Sequence, residues 1–386
     1  MSATALSQFE PSVYAARLEQ AAGKAAADGL TGLILGTGSD FAYFTGSWIA
    51  THERLTVLAI PADGRQPVIV TPKTDVGELK RSPAAAAGIR VLGWEDGDDP
   101  HTLALNAARG KTGAYWAKIG VGQSLTADHV LRFQQLLGHR SDSTVLATPI
   151  VRTMTMIKDA AEIAQLQAAA RAIDEVHAQV KSLLVPGRTE REVADDIYSL
   201  IISGGHTSVD FVIVGSGPNG ADPHHEFSDR KLEQGDVVVV DIGGSIGAGY
   251  RSDCTRTYLV EGTTPDDLSE KMRTAYAVLE KAQMAAIEAV RPGVSCSEID
   301  AVARGIISEA GLGRYFVHRT GHGIGLSTHE EPFITAGNDL TLAPGMVFSI
   351  EPGIYVPGIT GARIEDIVVV TDTGCEVLNQ RPRSLQ

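Results

Sequence analysis

Apolar and polar positions divide this chain into two stretches of different rhythm. Residues 10 to 28 carry apolar side chains at helical spacing and stop at Gly29, which predicts an amphipathic helix. Short apolar runs follow: GLILG, DFAYFTG, RLTVLAIP and PVIVTP. Gly, Pro and Asp bound them, and an ADGRQ turn separates the last two, so they read as strands. IRVLGW, GAYWAKIGVG and STVLATPIV continue the alternation, with helical stretches such as ADHVLRFQQLLG between them. From Met156 the rhythm becomes one long helix, IKDAAEIAQLQAAARAIDEVHAQVKSLL, closed by Pro186-Gly187. The change predicts a small mixed α/β domain over 1–153 and a larger α+β domain over 154–386.

The second stretch contains a faint duplication. PGRTEREVADDIYSLIISGG matches PGVSCSEIDAVARGIISEAG: a Pro-Gly breaker, an amphipathic helix, then Ile-Ile-Ser. EQGDVVVVDIGG matches APGMVFSIEPGI, so Asp241 stands six residues after Gly235 as Glu351 does after Gly345. GYRSDCTRTYLV matches GARIEDIVVV, aligning Asp253 with Glu365. Two such halves would pack about a pseudo-twofold axis, each bringing two carboxylates on adjacent strands to the centre.

Composition narrows the function. With 33 basic and 47 acidic residues the chain is anionic, at a formal net charge of −14. No Lys/Arg cluster forms the basic stripe that a nucleic-acid or anionic-membrane partner requires. The 3 cysteines are dispersed and unpaired in sequence, which argues against a disulfide framework or a thiolate zinc site. No secretory signal or membrane-length apolar run is visible, so a cytoplasmic protein is expected.

The acids carry the chemistry. VVVVDIGG feeds four β-branched residues into Asp241, and MVFSI does the same for Glu351. Asp253 in SDCTRT and Glu365 in RIED also stand beside apolar runs, and all four read as strand-end acids. Carboxylates in that setting lose hydration and need a cation or several hydrogen bonds. HRTGHGIG adds His322 in a glycine-rich segment where backbone can approach closely. Four carboxylates and an imidazole form a hard, oxygen-rich donor set suited to two divalent ions and a water made nucleophilic near neutral pH.

The ordered set DIGG, SDCTRT, GHGIG, SIEPG and RIED resembles the metallopeptidase family shared by prolidases, aminopeptidase P, methionine aminopeptidases and creatinase. The resemblance implies a duplicated pita-bread catalytic domain behind a creatinase-type N-terminal domain, where DFAYFTG is similar to that domain's extended segment. It implies Asp241, Asp253, His322, Glu351 and Glu365 as metal ligands, with Asp241 chelating through both oxygens and Asp253 and Glu365 bridging. Glu351 would also shuttle the proton, and His224 and His329 would face the substrate, the latter at its carbonyl. Arg363 would support the metal carboxylates, and His318 would face the cleft. His225 is ambiguous with His224; His52, His101, His139, His177 and His206 read as surface or loop residues.

The activity implied is cleavage of the bond between an N-terminal residue and proline, with manganese expected and cobalt or zinc as alternatives. A proline-containing peptide substrate, a homodimer, no nucleic acid and no membrane complete the expectation. Two departures stand out: Ser327-Thr328 precedes His329, and Phe333 follows HEEP where some strict dipeptidases carry arginine. With no cation at 333, Arg54 and Arg363 remain as partners for a dipeptide's carboxylate. The alternatives are an aminopeptidase P acting on longer peptides, a metal-independent creatinase-like hydrolase and a catalytically dead binding protein. The last two should have lost ligand positions, and this chain retains all five.

Overall fold

The computed structural model describes residues 8–108, 118–138 and 142–385. The chain divides into two compact units, one ending at Thr155 and the other running from Met156 to Gln386. His139 and the first five residues of GAYWAKIGVG lie outside the described residues.

The first unit is built on a six-stranded sheet. In spatial order its strands are Arg90–Trp94, Val68–Pro72, Val57–Pro61, Gly32–Gly36, Ile119–Val121 and Thr144–Leu146. Val57–Pro61 runs antiparallel to both neighbours, and the remaining pairs are parallel. The predicted N-terminal helix is Pro11–Ala27, with proline in its first turn where the missing N–H costs nothing.

DFAYFTG corrects the reading: Ser39–Thr45 is helical, with Gly46 in the left-handed conformation closing it. Every residue from Asp40 to Thr45 is buried, so burial on all sides erased the periodicity that separates helix from strand. In STVLATPIV only Thr144–Leu146 is strand, and Thr148–Thr155 turns helical with Pro149 tolerated in its first turn.

The second unit repeats one plan twice. Its first half packs helices Ala160–Val180 and Glu190–Ser203 on an antiparallel sheet of Ser208–Ser216, Val237–Ile246 and Tyr250–Leu259. The second half packs Glu270–Ala289 and Cys296–Glu309 against a five-stranded sheet and a separate hairpin, Gly353–Val356 with Thr360–Arg363. The two repeat helices begin alike. Thr189 and Glu192 form a reciprocal capping box, and so do Ser295 and Glu298. Each half has its own apolar core, one centred on Ile197, Val214 and Val240, the other on Leu279, Ile299 and Phe348. Among the described residues no helix is long and apolar enough to cross a membrane.

Candidate active site

Asp241 and Asp253 sit in the interior of ten-residue strands, where strand ends were expected. In the ladder Asp241 faces Thr255 and Gly243 faces Asp253, so the two acids are diagonal neighbours. Gly243-Gly244 reads as a terminator, yet the strand continues because those glycines admit close packing. A Cβ at Gly243 would meet the Ser252 carbonyl and the Phe211 ring, and one at Gly244 the Ser208 carbonyl.

Glu351 and Glu365 do flank strands. The ladder of Val347–Ile350 with Asp366–Val370 ends at the Ile350–Asp366 pair, and the next ladder begins at Gly353–Arg363. The two glutamates occupy the gap. There the backbone turns to other partners: Glu351 N–H donates to the Thr320 carbonyl (2.8 Å) and Glu365 N–H to the Thr255 carbonyl of the first half (3.1 Å). His322 comes from the short strand Gly321–Gly323. A Cβ on Gly321 would overlap the Ser349 carbonyl, and one on Gly323 the Glu331 carbonyl, so glycine lets this strand press against its neighbours.

These groups line one cavity of about 670 Å³, together with His224, His318, His329, Arg319 and Arg363. Asp253, Glu365 and His322 each offer an atom within 4.8 Å of the others. Two buried carboxylate oxygens, Asp241 Oδ1 and Glu365 Oε1, have no hydrogen-bond partner. Their companions are committed: Asp241 Oδ2 accepts from Arg363 Nη2 (2.6 Å) and Glu365 Oε2 from Thr255 Oγ1 (2.8 Å). Arg363 therefore leaves one Asp241 oxygen without a partner. His322 Nδ1 donates to the Gly323 carbonyl (3.1 Å), which turns Nε2 toward Glu351 Oε1 (3.1 Å) and Asp253 Oδ2 (3.7 Å). An imidazole nitrogen and several carboxylates converging on one point fit a shared cation.

Charge states agree with that fit. Burial, reinforced by Glu365, Asp241 and Glu351, pushes the Asp253 carboxyl well above its ordinary range. Burial with Glu351 and Asp241 does the same to Glu365, and burial raises Asp241 against the pull of Arg363. Crowded buried acids resist ionisation unless positive charge enters, which divalent ions would provide. Glu351 behaves differently. Burial would raise it, but the hydrogen bond and field of His322, with His318 and Arg363, bring it down to about 2.

The surrounding polar groups form a relay. Tyr355 Oη accepts from Arg363 Nη1 (2.7 Å) and lies 2.9 Å from His318 Nε2, whose Nδ1 donates to the Arg319 carbonyl (2.7 Å). The His329 ring stands edge-on to His322 with centroids 4.2 Å apart. Burial against the wall, then His322 and Arg319, hold its imidazole down to about 4. His224 lines the cavity, whereas His225 turns away and bonds the buried Glu190 (2.8 Å). Glu190 also accepts from Ser216, Asn219 and Ser228, which fastens the loop bearing His224.

Sequence reasoning missed several of these residues. Tyr355 and Glu190 carry no motif of their own, and Thr255 inside SDCTRT and Arg319 inside HRTGHGIG were passed over. His177 and His206 are buried rather than superficial: His177 bonds Tyr258 Oη and the Cys254 carbonyl, and His206 bonds Ser252. Arg54 belongs to the other unit, where it pairs with Asp96 (2.8 Å) and lies over Trp94.

Comparison with known proteins adds a second line of observation. Residues 164–372 match the model of metallopeptidase family M24, and residues 17–157 that of the creatinase/prolidase N-terminal domain. A crystal structure of dipeptidase PepE from Mycobacterium ulcerans superposes with a TM-score of 0.90 at 51% identity, covering 98% of this chain and 99% of that one. The recombinant prolidase from Thermococcus sibiricus gives 0.86 at 35% identity, covering 96% and 98%. A Xaa-Pro dipeptidase from Lactobacillus helveticus is 38% identical over 89% of this chain and 91% of its own.

Proposed function

The chain belongs to metallopeptidase family M24, and we propose that it hydrolyses Xaa-Pro dipeptides with two divalent cations held by Asp241, Asp253, His322, Glu351 and Glu365. It is a peptidase with the pita-bread fold of the prolidases and a creatinase-type N-terminal domain. We assign residues 1–153 to that domain and 154–386 to the catalytic one. The observation that carries the metal reading is the pair of buried, unpartnered carboxylate oxygens, Asp241 Oδ1 and Glu365 Oε1, in the cavity that also holds Asp253 and His322.

Two divalent cations supply Lewis acidity and a water that ionises near neutral pH. The chain's own groups do the rest. Glu351, at the opening of the ladder beside His322, accepts the proton from the attacking water and delivers it to the prolyl nitrogen as the bond breaks. His329 donates to the substrate carbonyl oxygen, where negative charge develops. His224 lines the same cavity, and Glu190 keeps its loop in place. Arg363 orients Asp241 and, through Tyr355, the His318 ring.

Manganese as the metal rests on the hard donor set, a homodimer on the family resemblance, and a cytoplasmic location on the sequence reading. Turnover of Ala-Pro and of Ala-Pro-Ala, each with and without added manganese, tests the whole. Metal-dependent cleavage favouring Ala-Pro is expected. Equal turnover of both peptides would make the chain an aminopeptidase P, and metal-free activity would remove the two-cation reading.

A further inference from the structure

A dipeptide ends in a carboxylate immediately after the scissile bond, and a partly dry cleft needs a cation to receive it. Phe333 carries no charge. Arg363 is committed to Asp241, Thr255, Tyr355 and the Pro223 carbonyl. Arg54 is held by Asp96 and Trp94 in the other unit.

Arg319 is placed differently. It lines the cavity that contains the acids and His322, and it is half-buried. Among the described residues its guanidinium has neither a carboxylate nor a hydrogen-bonding partner. What seats it is Phe333, whose ring centroid lies 4.5 Å from the guanidinium carbon. Phe333 is the register partner of His322. Paired residues of antiparallel strands project from the same face, so the ring supports Arg319 on the face from which His322 reaches the acids. A guanidinium stacked on an aromatic face keeps its in-plane N–H fork free for a carboxylate. Phe333 thus sits where charge was expected, and beneath a charge supplied from three residues before His322.

We infer that Arg319, seated on Phe333, pairs the α-carboxylate of the residue following the scissile bond and thereby favours dipeptides over longer chains. This rests on the dipeptidase reading above. A longer peptide presents a neutral amide at the same point and leaves the cation unmatched, so it binds less well.

The test measures turnover of Ala-Pro, Ala-Pro-amide and Ala-Pro-Ala by the manganese-loaded wild type and by Arg319→Ala, Arg319→Lys and Arg54→Ala. Calorimetric binding of free L-proline runs beside it. Wild-type turnover of Ala-Pro decides the dipeptidase reading by itself. The inference is decided by how differently Arg319→Ala treats the acid and its amide. KM for Ala-Pro should rise about ten- to a hundredfold with a smaller change in kcat, and KM for the amide by less than about threefold. Arg319→Lys should recover part of the loss, and proline affinity should fall in step with the Ala-Pro effect. If Arg319→Ala fails to fold, Arg319→Gln takes its place beside the lysine variant. Equal effects on acid and amide, an unchanged proline affinity, or a dipeptide-selective loss in Arg54→Ala instead would overturn the inference.

Discussion

The two halves of the catalytic unit bring their acids to the centre in different ways. In the first, Asp241 and Asp253 lie inside an unbroken hairpin, Asp241 on the strand paired on both sides and Asp253 on the edge strand beside it. In the second, the ladder opens at Glu351 and Glu365, and the freed backbone bonds to Thr320 and to Thr255 of the other half. Short aspartates on a fixed sheet suit the holding of ions. Longer glutamates at an opening have more reach, and Glu351, with His322 and Ser349 beside it, suits the handling of protons. With the roles proposed above, the duplicated fold is asymmetric in chemistry while remaining symmetric in plan.

The strongest way to break this comparison is to neutralise one acid from each half. Asp253→Asn should lose at least one metal equivalent by elemental analysis, and with it nearly all turnover. Glu351→Gln should lower kcat by about a thousandfold, within the range for a general base, while keeping more metal than Asp253→Asn. The asymmetry fails if both variants lose the same metal and the same rate. Glu365→Gln, with an oxygen facing only the cavity, should resemble Asp253→Asn, which would show that the opening holds metal as well as moving protons.

A smaller effect is expected at the substrate wall. His329→Ala should keep its metal and lose about a hundredfold in kcat, the scale of a lost oxyanion donor. His101→Ala, in the other unit, serves as control and should change little. Metal leaving with His329 would make that histidine a ligand and redraw the site.

Smaller again is the loop fastened by Glu190. Burial would raise this carboxyl, but hydrogen bonds from Ser216, Ser228 and His225 hold it below its ordinary range. A depressed folded-state pKa contributes stability above the unfolded-state value, and that contribution is lost as pH falls through the folded one. Acidification below the ordinary carboxylate range should therefore lower the melting temperature of the wild type more steeply than that of Glu190→Gln. The variant should also be destabilised at neutral pH by about 1–3 kcal/mol, the cost of disturbing a buried polar network. Its kcat should fall by less than about tenfold, because His224 is loosened rather than removed. Equal pH slopes in the two proteins would remove Glu190 from this role.

How much of this was legible beforehand can be followed residue by residue. The order of DIGG, SDCTRT, GHGIG, SIEPG and RIED named the acids and His322 that the structure gathers in one cavity. The Pro-Gly breaker and the helix ending in Ile-Ile-Ser were read from each half of the repeat, and the structure adds the capping boxes of Thr189 with Glu192 and Ser295 with Glu298. These features are local, since caps and residue spacing depend on neighbours a few positions apart. Tertiary structure decided the rest. It made Asp241 and Asp253 interior by packing Phe211 and the Ser252 carbonyl onto Gly243, and it sent Arg363 to Asp241 across 122 positions of sequence. It buried DFAYFTG on all sides into a helix, placed His177 and His206 in the core, and laid Arg319 over Phe333. Burial and pairing between distant segments are properties of the packed whole, and local pattern limits them without choosing among them.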